Sequence, residues 1–213
     1  MTTKLQLKTF GNLKLVNSAW TLVDIEPHVV IRLKQLFPRI PKSSSKLFTL
    51  NDTLETASDL LWFTQRYPLS ISDTDLRYLK KQEKLFNKEQ AQANSILMPT
   101  YTPNNRAGLL DGQSLRNYQL IGLDLIEAVK RTLIIDDVGL GKTYLGLGIG
   151  LLPNTLPIVF VVEPHLQDQW AEKASEFINL SVYKPKGNTP YLLPKADIYI
   201  FKYSQLSPWV DVL

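Results

Sequence analysis

The chain contains no cysteine, which excludes a disulfide framework and any thiolate metal site. It has only two histidines, His28 and His165, too few for most zinc sites built from one chain. No apolar run approaches about 18 residues, so a transmembrane helix is excluded. The opening MTTKLQLKTFGNLKL lacks an apolar stretch leading to a small-residue cleavage site and does not read as a secretory signal. Together these absences predict a cytoplasmic protein with no membrane partner. What is present is ordinary for a globular chain: 213 residues, 44% hydrophobic and 21% charged. That length holds one domain, or one domain with a smaller companion. The composition excludes a wholly disordered or collagen-like chain.

The net charge of +4 is unevenly spread. Residues 1–98 carry 14 Lys and Arg against 9 Asp and Glu, whereas residues 99–213 carry 10 against 11. A mildly basic front half suits an acidic partner such as nucleic acid. It equally suits ordinary solvated surface charge, and charge alone decides nothing.

The pattern divides the chain in three. In residues 1–98, Trp20 to Ile25 reads as a strand, and Pro27 opens a helix that Pro38 stops. Leu47 to Leu50 reads as a second strand. Thr53 caps a helix that ends before Pro68, and Ser72 or Asp73 caps a long charged helix reaching about residue 94. The expectation is a small α+β accessory region. Residues 99–112, with Pro103, Asn104, Asn105 and Gly108, read as a linker. From 113 to 213 the order is helix, apolar strand, glycine loop, helix, apolar strand, helix, strand. That alternation predicts a parallel sheet with flanking helices, so the chain as a whole is α/β.

The chemistry concentrates in Thr132-Leu133-Ile134-Ile135-Asp136-Asp137-Val138-Gly139-Leu140-Gly141-Lys142-Thr143. An apolar segment, expected as a strand, runs into a loop that ends in Gly-Lys-Thr before a helix. Small residues let the backbone curl so that several N–H groups face an anion. The start of the helix adds free N–H groups. The Lys142 ammonium suits terminal phosphates, and the Thr143 hydroxyl suits magnesium. The common phosphate loop begins with glycine six residues before the lysine; here that position is Asp136.

The departure is informative. The segment Asp136-Asp137-Val138-Gly139-Leu140-Gly141-Lys142-Thr143 resembles the phosphate loop of the Swi/Snf family of superfamily-two DNA translocases, DEMGLGKT, with Asp137 for glutamate and Val138 for methionine. Three further segments follow the same family in order. Leu115-Arg116-Asn117-Tyr118-Gln119 matches its adenine-binding segment; a glutamine offers the donor and acceptor that the adenine edge needs. Ile158 to Val162 leads into Glu163-Pro164-His165 and then Gln169-Trp170. Ile198 to Lys202 leads into Tyr203-Ser204-Gln205-Leu206. Asp59 to Leu69 resembles accessory regions of bacterial and phage members, or else is an amphipathic helix burying Leu60, Leu61, Trp62 and Phe63.

The resemblance implies a partial RecA-like sheet, with ATP and Mg2+ as cofactors. It assigns nucleotide binding to Arg116, Gln119, Asp137, Val138, Gly139, Leu140, Gly141, Lys142, Thr143 and Tyr144. Lys142 and Thr143 carry the catalytic role, and Thr143 the metal. DNA phosphates would be met by Pro164, His165, Gln169, Tyr203 and Ser204, contacts that give position without sequence information. Trp170 is expected to pack against the sheet, and His165 to enter a helix.

The family also uses an acidic pair that helps hold magnesium and orients the attacking water. After Thr143 the acids are Glu163, Asp168, Glu172, Glu176, Asp197 and Asp211, and no two are adjacent. The expectation is the front of a translocase, an incomplete first lobe unable to turn over ATP alone. It would pair with the remainder of the ATPase or with another chain, because an incomplete sheet leaves a strand edge open. The alternatives are a catalytically inactive partner-binding or regulatory module that keeps the nucleotide fold, and a small kinase or GTPase.

Overall fold

The computed structural model describes residues 8–211. The first seven residues, part of the segment read above for a signal, and Val212 and Leu213 lie outside the described residues. The chain divides between Ala91 and Gln92 into two compact units, and no helix among the described residues is long and apolar enough to cross a membrane.

The first unit is built on an antiparallel sheet of β1 (Asn12–Val16), β2 (Ala19–Val23) and β3 (Leu47–Asn51), with β2 in the middle. Asn17 and Ser18, with φ of 49° and 59°, make the two-residue turn between β1 and β2. Both residues in left-handed backbone match the twist of paired strands. Alternation sends Leu13, Trp20, Leu22, Phe48 and Leu50 to one face. Helices α1 (Pro27–Leu36) and α2 (Leu54–Arg66) bury Val29, Leu33, Ala57, Leu60 and Phe63 in the same core. Pro27 stands at the start of α1, and the Thr53 hydroxyl accepts the Thr56 N–H at the start of α2 at 3.1 Å. Helix α3 (Asp73–Ile96) follows. Asp52 accepts from Trp20 Nε1 at 2.9 Å and from Tyr78 Oη at 2.7 Å, fixing the buried indole and the start of α3 together.

The second unit holds a parallel sheet in the order β4 (Ile158–Val162), β6 (Ile198–Lys202), β5 (Val182–Tyr183). One face carries Ile158, Phe160, Val162, Ile198 and Ile200. It packs under α5 (Lys142–Gly148) and α6 (Gln167–Phe177) through Leu147, Ala174 and Phe177. Trp170 stacks on Phe160 at 5.1 Å and closes over Gly146, where a Cβ would stand 2.9 Å from the indole. On the other face, Phe201 meets Trp209 of α7 (Leu206–Trp209) at 5.3 Å, while Val159 and Val161 stay exposed. Helix α4 (Asn117–Val129) completes the unit. The architecture is mixed α/β, with one small antiparallel sheet and one three-stranded parallel sheet flanked by helices.

Two segments differ from the sequence reading. Thr132 to Asp136, expected as a strand, takes no strand geometry, and Leu133 and Ile135 are each 82% exposed. β-branching sets a tendency, but a strand exists only by pairing, and no described strand pairs with this segment. The stretch 99–112 belongs to the second unit, the division falling instead inside α3. Its Leu109 bridges Ile178, and the Leu110 N–H donates to the Phe177 carbonyl at 3.0 Å. Its other end is held by a buried carboxylate. Asp124 of α4 accepts from Tyr101 Oη at 2.8 Å, from the Asn104 N–H at 2.9 Å and from the Arg106 guanidinium. Arg106 also meets Glu127 at 2.7 Å. Burial alone would raise the Asp124 carboxyl; the hydrogen bonds from Asn104, Tyr101 and Arg106 overcome it and hold the group below the usual carboxylate range.

Candidate functional site

The loop before α5 curls tightly. Gly139 and Gly141 have φ of +91° and +72°, left-handed backbone that glycine adopts without strain. The curl brings the Lys142 ammonium back over the loop, where it donates to the carbonyls of Asp136 at 2.7 Å and Asp137 at 2.9 Å. A cation is therefore held against two main-chain carbonyls of the loop, on a side chain that is exposed to solvent.

The start of α4 is stitched to this loop. Tyr118 Oη donates to the Leu140 carbonyl at 2.8 Å, and Gln119 Nε2 donates to the Gly141 carbonyl at 3.2 Å. The other end of the Gln119 amide accepts the Arg116 N–H at 2.9 Å, which serves one of the free N–H groups at the start of α4. Gln119 is 5% exposed, so both of its hydrogen-bonding ends are spent on the protein. A Cβ at Gly141 would stand 2.8 Å from Gln119 Nε2, so the close approach requires glycine there.

Between α4 and the loop lies a cavity of about 300 Å³. Six of the residues singled out from sequence line it: Arg116, Gln119, Gly139, Leu140, Gly141 and Tyr144. Asp137, Val138, Lys142 and Thr143 belong to the same loop and helix but stand outside the cavity wall, Val138 almost fully exposed. Sequence reasoning missed Gln113, Ser114, Tyr118 and Phe177, which also line it. Tyr118 was legible, as the aromatic beside Gln119. Phe177 left no local signal; it arrives from α6 by packing on Tyr144 at 4.9 Å. Also unread was the Asp124 cluster, which fixes the helix that carries Tyr118 and Gln119.

The segments expected to meet DNA come together at one end of the sheet. β4 and β6 run parallel with Val162 opposite Lys202. The helical turns that follow them, Pro164–Leu166 and Tyr203–Gln205, therefore leave the carboxyl ends of adjacent strands. In open α/β sheets that edge is where ligands bind. Pro164, His165, Gln169, Tyr203 and Ser204 are all exposed there, Tyr203 by 73%. Their neighbours are buried and fix the turns: Gln167 Nε2 donates to the Ile200 carbonyl at 2.7 Å, and Gln205 Nε2 to that of Gly187 at 2.9 Å. The edge is not uniformly basic. Glu163 lies 3.6 Å from His165, and Lys184 pairs with Asp168, holding that carboxyl below its usual range.

Among the described residues no group of three or more His, Asp or Glu side chains is placed to hold a metal ion. Compared with known protein families and with curated proteins, the chain matches no family model and no curated sequence.

Proposed function

We propose that the second unit binds ATP in the cavity between the 113–119 segment and the 139–144 loop. In this reading its sheet is RecA-like, and the chain is the ATP-binding, DNA-engaging part of a Swi/Snf-type motor ATPase. The observation that carries the reading is the convergence on one cavity of two segments about twenty residues apart, the glycine loop and the Leu115-to-Gln119 segment that the same resemblance singled out. The phosphates lie on the main-chain N–H groups of Gly139 to Lys142, and the Lys142 ammonium exchanges the carbonyls of Asp136 and Asp137 for phosphate oxygens. The base enters between Arg116, Tyr118 and Tyr144. Gln119 meets its edge only by giving up the Gly141 carbonyl, so base recognition and loop position are coupled. Magnesium would join Thr143 and serve there to neutralise phosphate charge. Equilibrium dialysis of Mg-ATP against the full chain tests the reading: binding is expected, and no binding at about 1 mM, the weak end of useful affinity, contradicts it.

DNA is engaged through phosphates at the turns after β4 and β6. Such binding is insensitive to sequence and falls steeply with salt, because each neutralised phosphate releases condensed counterions. The near-neutral charge of residues 99–213 sets the expected affinity at roughly 10⁻⁴ to 10⁻⁶ M. A variant carrying Lys202→Ala, Tyr203→Ala and Ser204→Ala is expected to lower the salt slope by about 0.9, one duplex phosphate. Sequence-selective binding, or a variant identical to the parent at every salt concentration, contradicts the assignment.

A second reading, a regulatory module that binds nucleotide without turnover, is favoured by one observation. Two of the acids after Thr143 are engaged away from the loop, Asp168 with Lys184 and Asp197 with Ser181. DNA binding separates the two readings, since the regulatory module predicts none above that of any mildly basic protein; steady-state ATP turnover by the purified chain contradicts both.

A further inference from the structure

The first unit carries a groove of about 460 Å³ lined by α1 and α2 and by Tyr67, just past the end of α2. Trp62 stands on its wall with 58% of its surface exposed, while Leu60, Leu61 and Phe63 beside it in sequence are buried. The indole is thus the one large side chain of that turn that the fold leaves uncovered. Two arginines line the groove with it. Arg66 follows Trp62 by one helical turn, and Arg32 reaches in from α1 with Nη1 donating to Gln35 Oε1 at 2.8 Å. Neither arginine has an ion-pair partner among the described residues. That bond uses the Gln35 carbonyl oxygen and leaves its NH2 free to donate. No carboxylate lines the groove; on α2 the acids are Glu55 and Asp59, in the turns before Trp62.

We infer that this groove binds a single-stranded nucleic acid, one base stacked on Trp62 and the adjoining phosphates held by Arg32 and Arg66. A flat exposed ring in one groove with unpaired guanidiniums is the chemistry of strand binding: every base has a π-face to stack, and arginine adds both charge and a planar partner. The net positive charge of residues 1–98 favours the same anion. A duplex hides its base faces and leaves the indole unused; an acidic peptide uses the arginines and leaves the indole unused. The inference does not rest on ATP binding and concerns a different unit from the turns after β4 and β6.

The test is fluorescence anisotropy of a labelled fifteen-residue oligothymidylate with the full chain at low salt. Trp62→Ala is expected to weaken binding by about tenfold, the size of one lost base stack, and Trp62→Phe to restore part of it. Arg32→Gln with Arg66→Gln is expected to lower the salt slope by about 0.7 for each lost phosphate contact. Both effects are expected to persist in the Lys202→Ala, Tyr203→Ala, Ser204→Ala background, which separates this groove from the other DNA face. Trp62 is exposed, so its replacement leaves the urea unfolding transition in place, and that measurement runs alongside. The inference is overturned if the parent does not bind, or if Trp62→Ala binds like the parent. It is also overturned if polyglutamate, inorganic polyphosphate or a duplex of equal length competes as well as the single strand.

Discussion

Replacing Asp124 by alanine is expected to destabilise the second unit by about 3 kcal/mol. Breaking a buried ion pair by removing one partner costs about 3–5 kcal/mol, because the other charge is left buried without compensation. The lower end applies here, since Arg106, 10% exposed, still keeps Glu127 at 2.7 Å. Tyr101 and the Asn104 N–H also lose their acceptor. In urea the transition of the second unit is expected to move to lower denaturant while that of the first stays where it is. A second unit as stable as the parent's contradicts the account.

The pH dependence follows from the same carboxylate. Its folded pKa lies below the unfolded value of about 3.9, so the unfolded chain binds the proton more readily. The stability it contributes is fully present above that unfolded value and is lost as pH falls through the folded one. Asp124→Ala is therefore expected to flatten part of the acid limb of the stability curve below about pH 4 and to leave its shape near neutrality unchanged.

Lys142→Ala is expected to weaken ATP binding by roughly ten- to hundredfold. Hydrogen bonds to charged groups are worth about 1.5–3 kcal/mol, which converts to that range. Stability is expected to change by no more than about 0.5 kcal/mol, because the ammonium is exposed and its present partners are carbonyls of a solvent-facing loop. Calorimetric titration of ATP, run beside urea unfolding, reads both. Unchanged affinity, or equal losses of affinity and stability, removes Lys142 from the phosphate role.

What the sequence made legible was local. Pro27, Thr53 and Pro68 bound their helices because caps and proline act within a few residues. The loop of Gly139 and Gly141 was legible because glycine is the residue that takes positive φ without strain. What stayed hidden depends on partners distant in sequence. Asn12 to Val16 forms a strand through the turn at Asn17 and Ser18, a residue pair weaker in left-handed backbone than Asn-Gly and so easily passed over. Val182–Tyr183 is a strand only by lying beside β6. Residues 99–112 carry the composition of a linker, yet Asp124 binds three of their groups. A lone aspartate inside the apolar run Leu120-Ile121-Gly122-Leu123-Asp124-Leu125-Ile126 was the available sign of a buried acid seeking donors. The site followed the same division: the loop and Gln119 were visible as motifs, and Phe177 was not.

The central claim is that nucleotide occupies the cavity joining α4 to the loop. Hydrogen exchange of the full chain, with and without saturating Mg-ATP, tests it most directly. The account predicts that amides of 113–119 and 137–144 gain protection together, that the gain is lost in Lys142→Ala, and that the first unit is unaffected. Protection of the loop without the 113–119 segment, or of neither, contradicts it.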